Sequence, residues 1–304
     1  MRIGIHVSIA GGMEKMAWTA ASLGCETVQV FSRGPRGGKA KPFSPEDVAA
    51  MKLVLEHKGI EPLAVHVPYY VNLASSDPEK RGYSVDVLAG DLERAEALGG
   101  KYVVTHIGHG QAGEQADSAG PLGRVLLSLE EAFSRYSGPV KVLLENTAGQ
   151  GQELGSSFEA VSALLRSLPE ERAGACLDTC HAFAAGYDLR DAKGVHQVLT
   201  LFDKVVGLHR LGAVHLNDSK GGLGSHLDRH QHIGRGELGA ETFRALLRSP
   251  LLPCEIPGLL ETPVDSPGDD LANLSTMKEL RAAGGPPQAD CVSPGSEQVP
   301  PRAL

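Results

Sequence analysis

Short runs rich in apolar and β-branched residues recur along the chain, with helical stretches between them. The first kind suits buried strands and the second amphipathic helices. Strands are expected at Arg2–Val7, Thr27–Phe31, Leu63–Val67, Tyr102–Ile107, Val140–Glu145, Ala173–Asp178, Ala213–Asn217 and Leu259–Thr262. Helices are expected at Gly12–Leu23, Pro45–Lys58, Pro78–Leu98, Leu122–Tyr136, Phe158–Ser167, Leu189–Arg210, Ala240–Arg248 and Asp269–Ala283. Ser44-Pro45-Glu46-Asp47 reads as a helix start: an N-cap serine, proline in the first turn, then acid at the positive end of the dipole. Gly24, Gly59 and Gly99 fall where helices should stop.

Strands and helices in strict alternation, eight of each, are the pattern of a (β/α)8 TIM barrel. An open doubly wound sheet would want a glycine-rich phosphate loop after the first strand, and Ser8-Ile9-Ala10-Gly11-Gly12 is a poor match. From Gly284 onward the composition turns to Gly, Pro, Ser and Gln without apolar periodicity. The expected organisation is one barrel domain over 1–284, with a disordered tail at 285–304.

At 304 residues with 41% hydrophobic content the chain can bury a large core unaided. Its five cysteines are scattered and odd in number, which argues against a disulfide framework. Met1 leads straight into the first strand, leaving no room for a signal peptide, and no apolar run approaches the ~18 residues of a membrane span. A cytoplasmic monomer without membrane contact is expected. The net charge of -8 runs against a plain polyanion binder. Bound divalent cations would change that balance locally, concentrating positive charge where a phosphate would sit.

The C-terminal ends of barrel strands converge on one mouth, where function resides in this architecture. Strand ends three to eight deliver His66, His106, Glu145, Asp178, His215 and Glu261, each about one βα unit after the last. His181 follows Asp178 closely, and Asp228 and His230 follow His215. A single histidine at a strand end is more often packed than ligating, and a single aspartate there more often caps a helix. Jointly they would bury four carboxylates beside five histidines, an arrangement that calls for cations. Mixed imidazole and carboxylate ligands suit zinc, with manganese or iron as alternatives. Nine ligands exceed what one ion uses, so two or three ions with bridging carboxylates follow. Adjacent ions generate a hydroxide at neutral pH and neutralise charge on attacking and leaving oxygens, which points to hydrolysis of a phosphate ester.

Other histidines fit blander roles. His57, His196 and His209 lie on helices and are solvated or packed. His6, His109, His226 and His232 fall near the mouth, where packing competes with orienting the ligands or contacting phosphate. Cys176 and Cys180 flank Asp178, but Cys180 lies beyond the strand end, and thiolate ligation is not expected.

Three longer motifs carry a resemblance. They are Leu143-Leu144-Glu145-Asn146-Thr147-Ala148-Gly149-Gln150-Gly151, the run from Leu177 to Asp188 (LDTCHAFAAGYD), and His215-Leu216-Asn217-Asp218-Ser219-Lys220 continuing to Asp228–Gly236 (DRHQHIGRG). In these the chain resembles endonuclease IV, the trinuclear-zinc apurinic/apyrimidinic endonuclease family, from about residue 3 to residue 283. The resemblance implies three Zn2+ ions, with Mn2+ an alternative at one site. The first would be held by His66, His106 and Glu145. The second would be held by Glu145, Asp178, His215 and Glu261, and the third by His181, Asp228 and His230. It implies incision of double-stranded DNA 5′ to an abasic site, leaving a 3′-hydroxyl and a 5′-deoxyribose phosphate, with Glu261 and Glu145 catalytic and Glu261 aligning the attacking hydroxide. It also implies that Arg36 inserts into DNA and that Tyr69 and Tyr70 wedge beside the lesion. After Arg36 the chain has Gly37-Gly38-Lys39 where many relatives carry an aromatic residue, and Ile107-Gly108 follows His106 where proline is common.

Two other readings use the same barrel. A metal-dependent sugar isomerase or epimerase shares strand-end Glu, Asp and His but needs fewer ions, leaving His181, Asp228 and His230 unexplained. A non-catalytic damaged-DNA-binding protein would keep the metal for stability alone, and commonly loses a ligand or base, whereas here the set is intact.

Overall fold

Each apolar run becomes a strand, and the polar-faced stretches between them become helices. The computed structural model describes residues 1–38, 40–110 and 120–283, so Lys39 and the expected tail lie outside the described residues. The strands are β1 (Arg2–His6), β2 (Thr27–Phe31), β3 (Leu63–His66), β4 (Tyr102–His106), β5 (Lys141–Glu145), β6 (Ala173–Asp178) and β7 (Leu211–His215). A two-stranded antiparallel ribbon follows, β8 (Asp218–Ser219) and β9 (His230–Gln231), before β10 (Pro257–Leu260). Sequence neighbours β1 to β7 pair in parallel, β10 pairs with β7, and β1 with β10 closes the barrel in register Arg2↔Pro257 to Ile5↔Leu260. The fold is the expected TIM barrel.

Alternation along the strands separates two cores. Outward residues such as Val65, Val103 and Leu144 pack under the helices. Inward residues Val104, Leu143, Cys176 and Ala213 form a small cluster inside the barrel. Two positions further along the same four strands stand His106, Glu145, Asp178 and His215. The inward column is therefore apolar below and built of histidine and carboxylate side chains above. Close packing inside the barrel shows at Gly4, where a Cβ would lie 1.8 Å from the Thr27 carbonyl oxygen, a contact no side chain can accept.

The helices are α1 (Met13–Leu23), α2 (Pro45–Lys58), α3 (Pro78–Leu98), α4 (Gly120–Arg135), α5 (Phe158–Leu165), α6 (Thr179–Ala184), α7 (Ala192–Val205), α8 (Ala240–Leu247) and α9 (Asp269–Ala282). Ser44 caps α2 by accepting from the Asp47 N–H at 3.3 Å, and Gly24, Gly59 and Gly99 end their helices in the left-handed region. Among the described residues no helix is long and apolar enough to cross a membrane.

Many element ends shift by one or two residues from expectation, and four departures bear on the site or the chain path. The run Leu189–Arg210 breaks into α7 and a short 3-10 turn at Leu208–Arg210, because Gly207 takes φ +94° between them. β7 ends at His215 rather than Asn217, since the Asn217 N–H turns to the Thr179 hydroxyl at 3.0 Å. β10 ends at Leu260 rather than Thr262, the Glu261 N–H going to the Asn217 side chain at 2.8 Å. Helix α6 and the β8–β9 ribbon are additions to the expected set. α6 follows β6 without a turn residue, and Asp178 caps it through the His181 N–H at 2.8 Å.

Candidate metal centre

All nine expected ligand side chains meet at the C-terminal mouth. Glu145, wholly buried at the end of β5, is the hub. Its Oε2 lies 3.1 Å from His66 Nε2 and 3.3 Å from His106 Nε2. Its Oε1 lies 2.9 Å from His215 Nδ1 and 3.4 Å from His181 Nδ1. His215 Nδ1 is also 3.3 Å from Glu261 Oε2 and 3.8 Å from Asp178 Oδ2. On the far side Asp228 Oδ1 lies 3.2 Å from His181 Nε2 and 3.6 Å from His230 Nε2, with Asp178 Oδ2 3.8 Å from the latter. Four groupings at the mouth bring ligand atoms within 4.8 Å of one another: His66, His106 and Glu145; Glu145, Asp178, His215 and Glu261; Asp178, His181 and His230; and His66, His215 and Glu261. The third differs from expectation in including Asp178, with Asp228 alongside it.

Backbone carbonyls orient the rings. His66 Nδ1 meets the Val67 carbonyl at 2.7 Å, His181 Nδ1 the Asn146 carbonyl at 3.0 Å and His230 Nδ1 the Glu261 carbonyl at 2.9 Å. A ring that donates from Nδ1 carries its lone pair on Nε2 when neutral. In all three, that lone pair then faces carboxylate oxygens. For His181 and His230 the Nε2 atoms are buried without a hydrogen-bond partner among the described residues. Lone pairs aimed at carboxylates repel unless a cation lies between them, so this donor set fits divalent metal ions.

The electrostatics agree. Burial alone would raise the Glu145 and Glu261 carboxyls, but the facing histidines, led by His215, outweigh it and hold both well below the usual carboxylate range. Burial likewise opposes charge on His181 and His215, yet Asp178 beside the first, and Cys176, Glu261 and Glu145 around the second, raise both well above an ordinary imidazole. Asp228 falls to about 2, its burial outweighed by His181 and His230. Cys176 and Cys180 stay thiols, pushed by burial up to about 11 and about 12.

A cavity of about 390 Å³ opens over the centre, lined by Tyr69, His106, His181, Lys220, Asp228, Arg229, His230, Glu261 and Pro263. Tyr69 stands beside it 58% exposed, its ring edge-on to Phe31 and His106. Tyr70 is half-buried and stacks on Tyr83 at 6.0 Å, and Arg36 is exposed.

Residues 19–274 match the family model described as xylose isomerase-like TIM barrel. The chain is 44% identical to the probable endonuclease 4 of Methanoculleus marisnigri over 284 residues, covering 92% of this chain and 99% of that one. It is equally similar, at 44%, to the probable endonuclease 4 of Cenarchaeum symbiosum, with the same coverage of both chains. The crystal structure of endonuclease IV from Thermus thermophilus superposes with a TM-score of 0.83 at 37% identity, over 93% of this chain and all of that one. The chain belongs to the endonuclease 4 family. A D-tagatose 3-epimerase-like protein, at 18% identity and a TM-score of 0.71, shares the fold alone.

Around this endonuclease 4 centre the structure adds residues that strand-end counting passed over. Gln29 on β2 donates to Glu261 Oε1 at 2.7 Å and meets His215 Nε2 through its own oxygen at 3.0 Å. Asn217 donates to Asp178 Oδ2 at 2.7 Å, and Asn146 accepts from the Asp178 N–H at 2.8 Å. Both asparagines sit inside the motifs that carry the resemblance, which was the available signal. His6 touches Gln29 at 3.1 Å and lies 3.8 Å from Glu261, and it belongs to none of the groupings above. His226 meets the Ala148 carbonyl at 2.9 Å, His109 lies 3.5 Å from the Asn72 amide, and His232 pairs with Asp265 at 3.3 Å.

Asp218 organises the loop that brings Asp228 and His230 into place. It is wholly buried and accepts from the N–H groups of Gly234, Gly236 and Leu238 at 2.9, 3.0 and 3.1 Å. At Gly236 a Cβ would stand 2.4 Å from Asp218 Oδ1, so glycine is required for this approach. Asp218→Ala strands those donors, and a loss of roughly 3 kcal/mol of unfolding free energy is expected. Metal bound near His230 should weaken with it. Denaturant titration and metal analysis check both, and an unchanged midpoint would refute this role.

Proposed function

We propose that this member of the endonuclease 4 family is a DNA-repair hydrolase that cuts the phosphodiester 5′ to abasic sites in double-stranded DNA, holding three Zn2+ ions, one replaceable by Mn2+. The observation that carries the reading is the convergence of nine histidine and carboxylate side chains on one mouth, with ring nitrogens facing carboxylate oxygens in an arrangement that suits bound divalent cations. Bound ions there supply Lewis acidity: they activate water at neutral pH and neutralise charge on the phosphate.

The chain's own residues do the rest. His66, His106 and Glu145 would hold the first ion, and Glu145 and Asp178 with His215 and Glu261 the second. His181, Asp228 and His230 would hold the third, with Asp178 Oδ2 3.8 Å from His230 Nε2. Glu261 is kept ionised, and fixed by Gln29 and Asn217, so it accepts a hydrogen bond from the attacking water and sets its line of approach. Lys220 and Arg229 at the cavity rim place positive charge beside the incoming phosphate. No covalent bond to the protein is needed. The unit is taken as one nuclease domain over 1–284, acting as a cytoplasmic monomer.

Recognition is assigned to Arg36, Tyr69 and Tyr70 on neighbouring loops. Extruding a nucleotide is least costly where a base is already missing, and an aromatic wedge fills the gap. The exposed Tyr69 suits a wedge directly, whereas Tyr70 also braces the loop on Tyr83. Tyr69→Ala is expected to weaken binding of an abasic duplex by about 1–3 kcal/mol, the usual worth of a stacked base. Fluorescence anisotropy measures it, and an unaltered affinity would remove Tyr69 from the interface.

The deciding experiment pairs metal analysis with a nicking assay on abasic duplex DNA. About three ions per chain and a single cut are expected. A sugar isomerase would hold one or two ions and leave the DNA whole, and a damage-binding protein would retain the duplex without nicking it.

A further inference from the structure

Between β2 and α2 the described residues from Ser32 to Ser44 form no regular structure. The exposed Arg36 sits at the apex of a turn closed by the Gly37 N–H on the Gly34 carbonyl at 3.2 Å. A loop of this length held only at its ends would sample many conformations and give its apical side chain no fixed direction.

Helix α3 supplies the missing tether. Arg94 donates from Nε to the Ser32 carbonyl at 3.1 Å and to the Ser32 hydroxyl at 3.0 Å, and a second guanidinium nitrogen also reaches that carbonyl. Its remaining nitrogen donates to the Lys41 carbonyl at 2.9 Å, and the guanidinium lies 3.7 Å above the Phe43 ring. One side chain therefore grips the loop where it leaves β2 and again where it approaches α2. A turn earlier on α3, buried Asp91 accepts from Arg33 Nε at 2.7 Å and from the Ser32 hydroxyl at 2.5 Å. Arginine suits this task because its donors form a rigid planar fork that also stacks, which a lysine ammonium cannot reproduce.

We propose that Arg94 is a positioning residue for DNA recognition, closing the neck of the loop between Ser32 and Phe43 so that Arg36 is presented to the duplex in a fixed direction. The proposal rests on the assignment of Arg36 to the DNA interface. Arg94 acts through the loop: its hydrogen bonds run to Ser32 and Lys41, not to the nine side chains of the metal centre.

The test is steady-state incision of an abasic duplex by the metal-loaded full chain, comparing the unaltered protein with Arg36→Ala, Arg94→Ala, the double variant and Arg94→Lys. Arg94→Ala is expected to raise KM about tenfold with kcat and metal content unchanged, within the range of couplings between contacting groups. Arg94→Lys, which keeps the charge and the stem and so protects the fold, should show most of the same rise. The double variant should be no worse than Arg36→Ala alone. KM unchanged in Arg94→Lys and Arg94→Ala, even with a lowered melting temperature, would reduce Arg94 to a structural role and overturn the proposal. So would effects of the two arginines that simply multiply. If Arg36→Ala by itself leaves KM unaltered, the interface assignment fails first and takes the proposal with it.

Discussion

Glu261→Gln is expected to lower incision of an abasic duplex by roughly 10²–10⁴-fold, the usual contribution of a positioned acid–base group, while binding of that duplex persists. Glutamine keeps the size of the side chain but offers an amide where the carboxylate stood. The site is built around a charged group: Gln29 donates to Oε1, Asn217 lies 3.4 Å from Oε2, and His215 faces it at 3.3 Å. Glu261 also belongs to the grouping with Glu145, Asp178 and His215, so metal content must be measured on the same sample. Full loading with lost cutting assigns the defect to alignment of the attacking water, and partial loading assigns it to ligation. Incision at the unaltered rate would end the catalytic assignment.

Stripping the ions with a chelator should abolish incision and lower the thermal midpoint by roughly 5–10 °C, since ligands that bind only the folded state stabilise it by mass action. The penalty should depend on pH in a definite direction. In the metal-free protein Glu145 and Glu261 are held low, so they stabilise above the ordinary carboxylate range and lose that effect as pH falls through their lowered values. His181 and His215 are raised above 6.5, so they stabilise below it and lose that effect as pH climbs through their raised values. Protons thus partly substitute for metal at low pH and cease to do so as pH rises. Metal binding must displace those protons, which becomes easier over the same interval. The gap between loaded and stripped midpoints should therefore widen as pH climbs above 6.5. A constant gap would mean that the histidines do not exchange protons for metal.

Much of this site was legible because a barrel converts sequence order into spatial order. Inward side chains recur every second residue, and the last inward residue of each strand reaches the mouth. His106, Glu145, Asp178 and His215 could thus be placed together from strand ends alone. At Asp178 helix capping and an inward-facing carboxylate oxygen coexist. One oxygen caps α6 through the His181 N–H, and the other faces His215 and His230. Neutral side chains were not legible in the same way. A glutamine or asparagine on a strand carries no charge to mark it, and its value depends on partners that only ring closure supplies.

The sequence by itself determined the alternating elements, the barrel, and the six ionisable side chains at its strand ends, because these follow from local periodicity and strand polarity. His181, Asp228 and His230 were marked only by their closeness to those ends and by their motifs. Tertiary structure alone decided how these side chains are aimed and grouped. Gln29 reaches Glu261 across 232 residues of sequence and His215 across 186, and Asp178 lies close enough to His230 to join a second grouping. Arg94 grips the Arg36 loop from a helix more than fifty residues away. Hydrogen-bond direction and ångström-scale distances arise only when the sheet closes on itself, and no local pattern encodes them.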